Sequence, residues 1–282
     1  MRRVALCKIF LAGFALTVLM YKVTPAQCKE DLTLTLSEKL KLDQFRERVE
    51  ANLPHAYMKQ EIYLIRWLRA RNFNVDAAVQ MLNTNLKWRQ TQRMDKISEE
   101  DWSEFNQRYR YHDHGFDKHG RPVAVLGLGS WDVRRAAITG ESEKLSRYLD
   151  FATDSVCNKP RHLRNQNSTS TVTQVDFIVD LSGFSLTQQG CLPCVPFYIG
   201  FVANYENYHP NCADKILLLN TPAAFEIILS AVRPFFSQQT RDSLEVYGTN
   251  KNRWQPILLS YIDKSQLPFE LGGTDFRYDQ DD

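Results

Sequence analysis

The 282-residue sequence predicts an α/β fold: a helical N-terminal region followed by a lobe built on a mostly parallel sheet. Three observations predict it. Residues 34–104 repeat apolar side chains at helical spacing. From Asp117 onward, strand-like runs alternate with helix-like stretches, which implies parallel strands joined by right-handed crossovers. Ile216, Leu217, Leu218 and Leu219 form an unbroken apolar run between Lys215 and Asn220, the pattern of a parallel strand covered on both faces.

The chain opens with Arg2, Arg3 and Lys8, then an uncharged run from Ile9 to Met20, then Thr24-Pro25-Ala26. A basic start, a short apolar centre and a small-residue exit describe a secretory signal peptide over residues 1–26, cut after Ala26. Twelve apolar residues are too few to span a bilayer comfortably as a helix. Five cysteines remain after the cut: Cys28, Cys157, Cys191, Cys194 and Cys212. An oxidising compartment lets some of them pair, and the odd count leaves at least one free. Cys191-Leu-Pro-Cys194 has redox spacing but lacks the preceding strand and cationic surroundings of a redox motif. Asn167-Ser-Thr169 is a glycosylation sequon within a polar run, so Asn167 is the candidate glycan site.

The helical region covers residues 27–104. Ser37 is the candidate cap of a first helix that holds Leu40, Leu42 and Phe45. Gln60 to Asn72 places Ile62, Ile65 and Leu68 on one face, with Arg66, Arg69 and Arg71 between them as a solvated face. Val75, Val79, Leu82 and Leu86 make the next amphipathic helix, to about Gln90. Trp102 and Phe105 begin a connector.

The second region covers residues 105–276, and an acidic tail, residues 277–282, ends the chain. Asp117 to Pro122 reads as a turn, Val123 to Leu128 as a strand and Ser142 to Val156 as a helix. Val172 to Asp180 is a strand broken by Gly183, Pro196 to Tyr208 an aromatic-rich helix, and Ser243 to Gly248 a short strand. After the Ile216–Leu219 strand, Pro222 sits where a helix begins. From Ala223 to Arg233 only Glu226, Ser230 and Arg233 are polar, and they form one narrow stripe. A surface helix needs an apolar face of only about 100°. This one has more, so it is either a deeply buried core helix or a wall with apolar surroundings on two sides.

Composition excludes some functions. Hydrophobic residues make up 43% and charged residues 24%, ordinary for a globular protein. Residues 1–26 hold four basic side chains and no acid; removing those four of the 35 leaves 31 basic against 33 acidic, a net charge of −2. A nucleic-acid binder needs a basic surface. Gly127-Leu-Gly129 follows a strand, but Asp132 stands where the dinucleotide fingerprint needs its third glycine. There is no phosphate-binding loop and no G-x-S-x-G elbow. His112, His114 and His119, with Asp113 and Asp117, straddle a turn rather than one helix face, a poor metal site. Asp180 at a strand end reads as a loop cap. No nucleophile–base set is present, so the expectation is a protein that is not an enzyme and needs neither metal nor cofactor.

Six motifs in order resemble the CRAL-TRIO lipid-binding family over about residues 37–275. They are Ile65-Arg-Trp-Leu-Arg-Ala-Arg-Asn-Phe-Asn74 with Lys87-Trp-Arg89, Gly115-Phe-Asp-Lys-His-Gly-Arg-Pro-Val123, Asp180-Leu-Ser-Gly183, Asn207-Tyr-His-Pro210 with Leu219-Asn-Thr-Pro222, Arg233-Pro-Phe235, and Leu267-Pro-Phe-Glu-Leu-Gly-Gly273. The supernatant-protein/tocopherol-associated branch looks most similar. That branch usually continues into a further β-sandwich domain.

The resemblance implies a helical tripod packed on an α/β/α lobe, with the sheet as the floor of a hydrophobic pocket and residues 223–236 as a gate. It implies a carrier of one hydrophobic lipid that meets membranes transiently, binds no nucleic acid and acts as a monomer. Phe225, Ile228, Leu229 and Val232 are the candidate gate contacts, and Phe177, Val179, Leu217 and Leu219 the candidate floor. Only alternate residues of each strand can face the pocket. Members that transfer phosphatidylinositol carry a Lys–Glu–Lys set for the headgroup. Those positions fall on Asn72, on Asn211 and near Ser243, with Arg241 close by, so charge-assisted phosphate bonds of about 1.5–3 kcal/mol each are missing. The expected ligand is therefore apolar, such as a tocopherol, retinoid or sterol. The alternatives are a phospholipid transfer protein or an adaptor that presents its lipid to a partner. Most of the family is cytosolic, whereas this N-terminus predicts a secreted protein.

Overall fold

The computed structural model describes residues 32–279. The expected leader, Cys28 and the last three residues of the tail lie outside them. Of these, residues 34–279 belong to one compact unit.

Helix α1 spans Leu36–Val49, α2 Glu61–Ala70 and α3 Val75–Thr91. The cap of α1 is Thr35 rather than Ser37. Its hydroxyl accepts from Glu38 N, and the Glu38 carboxylate accepts from Thr35 N, so two free N–H groups are satisfied reciprocally. Leu42, Phe45, Leu64, Trp67, Leu68 and Leu82 bury the facing stripes of the three helices in one cluster. Helix α4, Ser103–Arg108, leads into the sheet.

The sheet holds β1 Tyr111–Phe116, β2 Pro122–Leu126, β3 Val175–Asp180, β4 Ala213–Thr221 and β5 Leu244–Gly248, in that spatial order. β1 is antiparallel to β2, and every later neighbour is parallel. The expected turn joins β1 to β2. The Asp117 carboxylate accepts from His119 N and Arg121 N and pairs with the Arg121 guanidinium, while Gly120 takes φ 78°. The crossovers carry α5 Val133–Thr139 and α6 Ser142–Gln166 between β2 and β3, and α7 Val195–Tyr208 between β3 and β4. They carry α8 Glu226–Val232 and α9 Gln238–Ser243 between β4 and β5. Helix α10, Lys251–Tyr261, closes the fold. Helix α6 runs on to Gln166 rather than ending at Val156, because Cys157 and Pro160 continue its buried face. Asn167 is its exposed C-terminal cap.

The sheet has two differently covered faces. On one, Val123, Val125, Ile178, Leu217 and Leu219 pack against Trp254, Leu258 and Ile262. The other face meets α6, α7 and α8, which all stand on that side, as crossovers of one hand require. Two disulfides form among the described residues, Cys157–Cys212 and Cys191–Cys194. The first ties α6 to the chain entering β4.

Candidate functional site

Between the sheet and α6, α7 and α8 lies a cavity of about 170 Å³. Strand alternation selects its floor. Phe177 pairs with Ile216 and Val179 with Leu218 in parallel register, so these four side chains project to the same side. All four line the cavity, joined by Ala124, Leu126 and Leu244 from the neighbouring strands. Leu217 and Leu219, expected in the floor, point the opposite way and pack beneath α10. The floor residues of β4 are Ile216 and Leu218 instead. An unbroken apolar run cannot mark its inward members, because both faces of this strand are covered.

The wall opposite β4 is α8 with its flanking turns. The four candidate gate contacts, Phe225, Ile228, Leu229 and Val232, all line the cavity. Ile227 on the same helix is 56% exposed, and Phe235 beyond it is also exposed. The polar stripe folds on itself: the Arg233 guanidinium is 2.6 Å from Glu226 Oε1, and Ser230 Oγ donates to the same carboxylate at 3.0 Å. The Phe184 ring meets Phe225 edge-on at 5.3 Å. Helices α6 and α7 add Leu149, Ala152, Val156, Phe197 and Phe201. The periodic signal in these helices could have nominated them, but without the sheet's position it does not say which stripe meets a void.

Hydroxyls at Thr153, Tyr198, Tyr205 and Thr240 are the polar features of the lining, with Tyr111 at the β1 edge. Tyr205 Oη already accepts from Ala213 N. Tyr198 is buried, and burial raises its phenol well above the ordinary tyrosine range. Among the described residues no carboxylate, ammonium or guanidinium lines the cavity.

A separate polar notch lies beside the C-terminal end of α7, lined by Arg71, Glu206, His209, Asn211, Ser237 and Ser243, among others. Its volume is about 20 Å³, room for roughly one water. Asn211 and Ser243, two of the three positions compared with the Lys–Glu–Lys set, meet here. The third, Asn72, takes a left-handed φ of 51° after α2 and does not line the notch.

The other candidate features have structural explanations. Asp180 Oδ1 accepts from Ser182 N, Ser182 Oγ and Asn220 Nδ2, so it caps the loop after β3. A Cβ on Gly129 would sit 2.1 Å from Ser182 O, so that glycine serves backbone packing against the same loop. Asp113 pairs with Lys159 at 2.9 Å, and His114 lies 3.5 Å from Asp275. Among the described residues no three His, Cys, Asp or Glu side chains converge on a possible metal position. No described helix is long and apolar enough to cross a membrane.

A mostly parallel sheet flooring an apolar cavity, walled by a short amphipathic helix and joined to an N-terminal helical layer, defines a binder of small hydrophobic ligands. The family models agree. The CRAL/TRIO domain matches residues 107–273 and the CRAL/TRIO N-terminal domain residues 41–84, and the chain belongs to this family, whose domains bind lipids and other small hydrophobic ligands and transfer them. It is 29% identical over 250 residues to the protein real-time of Anopheles gambiae, covering 86% of this chain and 35% of that one. It is 28% identical over 243 residues to the protein real-time of Aedes aegypti, covering 83% and 36%. The chain thus spans about a third of the length of these curated relatives. The crystal structure of Sfh5 shares the fold, with a TM-score of 0.66 at 16% identity over 86% of this chain and 89% of that one.

Proposed function

We propose that the protein is a non-enzymatic carrier that holds one apolar lipid, of the tocopherol, retinoid or sterol kind, in the cavity behind α8. The carrying observation is the lining: apolar side chains and a few hydroxyls, with no charged group among the described residues. Each buried CH₂ of a ligand contributes about 0.8 kcal/mol, so hydrocarbon alone can hold such a molecule. A phosphorylated headgroup has no counterpart. The polar notch is water-sized, and the charges that line it, Arg71 and Glu206, are of opposite sign. A void of 170 Å³ is on the scale of one that takes up a single benzene ring, so loading a lipid requires a wall to yield. Helix α8 is the short, separately tethered wall, and its opening at a membrane is the exchange step of this reading.

The expected leader, the exposed sequon at Asn167 and the two disulfides support an oxidising, secretory location. The test is to express the full chain in a eukaryotic secretory host and identify co-purifying lipid by mass spectrometry. Glycosylated protein in the medium carrying one neutral isoprenoid or sterol is the expected result. Phosphatidylinositol as the main extracted lipid overturns the ligand class, and an extracted lipid that turns over on incubation overturns the carrier reading.

A further inference from the structure

We propose that the surface made by α5 and the loop 185–194 docks the protein on an anionic lipid bilayer. This deepens the carrier reading and takes from it the membrane as partner. Leu192 is 87% exposed. It sits in a single turn, Leu192–Cys194, closed by the Cys191–Cys194 disulfide, and Cys194 is fully buried. A covalently braced loop therefore holds a leucine out in water. Leu186 in the same loop and Ile138 on α5 are also exposed.

These side chains belong to one body. Arg134 N donates to Gln188 O at 2.9 Å, and the Gln189 amide donates to Gly129 O and Trp131 O. Helix α5 packs directly against the Leu192–Cys194 turn.

The charge pattern chooses the partner. Arg134 and Arg135 are exposed one helical turn before Ile138, and neither forms an ion pair among the described residues. No charged residue occurs from Leu181 to Tyr205. Two carboxylates lie near them and both are engaged: Asp132 caps α5, accepting from Arg135 N, and Glu141, which also feels the Arg135 charge, pairs with Arg108 at 2.8 Å. Two arginines beside protruding aliphatic side chains complement lipid phosphates over an acyl layer. The surface is continuous with the cavity wall. Phe184 contacts Phe225, Phe197 and Tyr198 line the cavity just after Cys194, and α8 exposes Ile227. A bilayer seated on Leu192 therefore meets the wall through which a lipid must pass.

The test is sedimentation of the full-length protein with vesicles of phosphatidylcholine alone and of phosphatidylcholine with phosphatidylserine, at low and high salt, with co-purified lipid measured in every variant. Wild type should prefer the anionic vesicles and lose that preference in high salt. The double variant R134Q/R135Q should weaken binding to anionic vesicles about tenfold or more and leave neutral vesicles unaffected. Leu192→Asp should weaken both while its bound lipid stays at the wild-type level, which separates docking from folding and from cargo. Equal wild-type binding to both vesicle types, or wild-type-like binding by Leu192→Asp, overturns the proposal. Protein that holds lipid yet binds neither vesicle overturns the docking surface alone. Protein that holds no lipid yet binds anionic vesicles through these residues supports the surface and overturns the carrier reading.

Discussion

The indole of Trp88 lies flat on the phenol ring of Tyr208, with centroids 4.1 Å apart and planes 9° from parallel. The two residues belong to Lys87-Trp-Arg89 and Asn207-Tyr-His-Pro210, motifs far apart in sequence. Asn85 Nδ2 donates to Tyr208 O beside them, and the Arg89 guanidinium pairs with Asp154 at 2.7 Å. Helix α3 is thereby fastened to α6 and to the end of α7. Trp88→Ala should lower unfolding free energy by about 3–5 kcal/mol, and Trp88→Phe by clearly less. Urea denaturation followed by circular dichroism measures both. A loss under 1 kcal/mol in Trp88→Ala would mean that the helical layer docks without this stack.

The two faces of β4 predict opposite phenotypes. Leu217→Ala leaves a hole against the α10 cluster and should cost about 2–5 kcal/mol without changing lipid held per folded molecule. Leu218→Trp fills the cavity from its floor and should cut lipid occupancy about tenfold, equivalent to about 1.4 kcal/mol of binding. Lipid quantified against folded protein separates them. Equal occupancy in both variants would show that the ligand lies elsewhere.

Asp176 is fully buried, and neither carboxyl oxygen has a hydrogen-bond partner among the described residues. Burial first, then the charges of Asp117 and Asp214, push its carboxyl up to about 8. The folded value lies above the unfolded one, so the neutral acid favours the fold at low pH. That contribution declines from about pH 4 and is lost as pH rises through about 8. Asp176→Asn should therefore raise stability by a few kcal/mol at pH 8 and change it little at pH 4. Tm measured across that range gives the answer, and a gain independent of pH would assign the effect to packing.

His209 behaves in the opposite sense. Burial holds its imidazole down to about 4, and Nε2 has no partner among the described residues. Its neutral form favours the fold above about pH 6.5, and that contribution is lost as pH falls toward 4. Histidine-resolved NMR titration should find one imidazole that stays neutral until about pH 4. Titration of every imidazole near 6.5 would mean that this ring reaches water.

The Cys157–Cys212 bridge closes a loop of 55 residues between α6 and the entry to β4. The double variant C157A/C212A should lose about 2–4 kcal/mol. Thiol labelling of denatured, unreduced protein should detect neither cysteine. Full labelling of both would show that the pair is reduced in the isolated protein.

Much of this architecture is legible in residue patterns. The apolar run at Ile216–Leu219 marks β4, and the stripe of Glu226, Ser230 and Arg233 marks α8, with the polar side where the spacing puts it. Six of the eight candidate lining residues meet the cavity; Leu217 and Leu219 do not, because inward and outward positions of a doubly covered strand look alike until its register with β3 is known. β1 hides because an edge strand with half-exposed His112, Asp113 and His114 carries little apolar alternation. α10 hides behind Pro256, a residue that ordinarily ends a helix. The cap at Thr35 is visible only when Glu38 is read together with it.

The Glu226–Arg233 pair has a mechanical consequence. Both partners ride on the same short segment, so each carries its counter-charge wherever the segment goes. Among the described residues, swinging α8 away from the floor would sever no ion pair with the rest of the fold and leave neither charge without its partner. The resistance to that swing resides in the contacts of Phe225, Ile228, Leu229 and Val232, and a hydrocarbon environment replaces such contacts in kind. In the proposed exchange step the movement of α8 is thus electrically silent, and ionic strength should tune the proposed docking far more than the proposed opening.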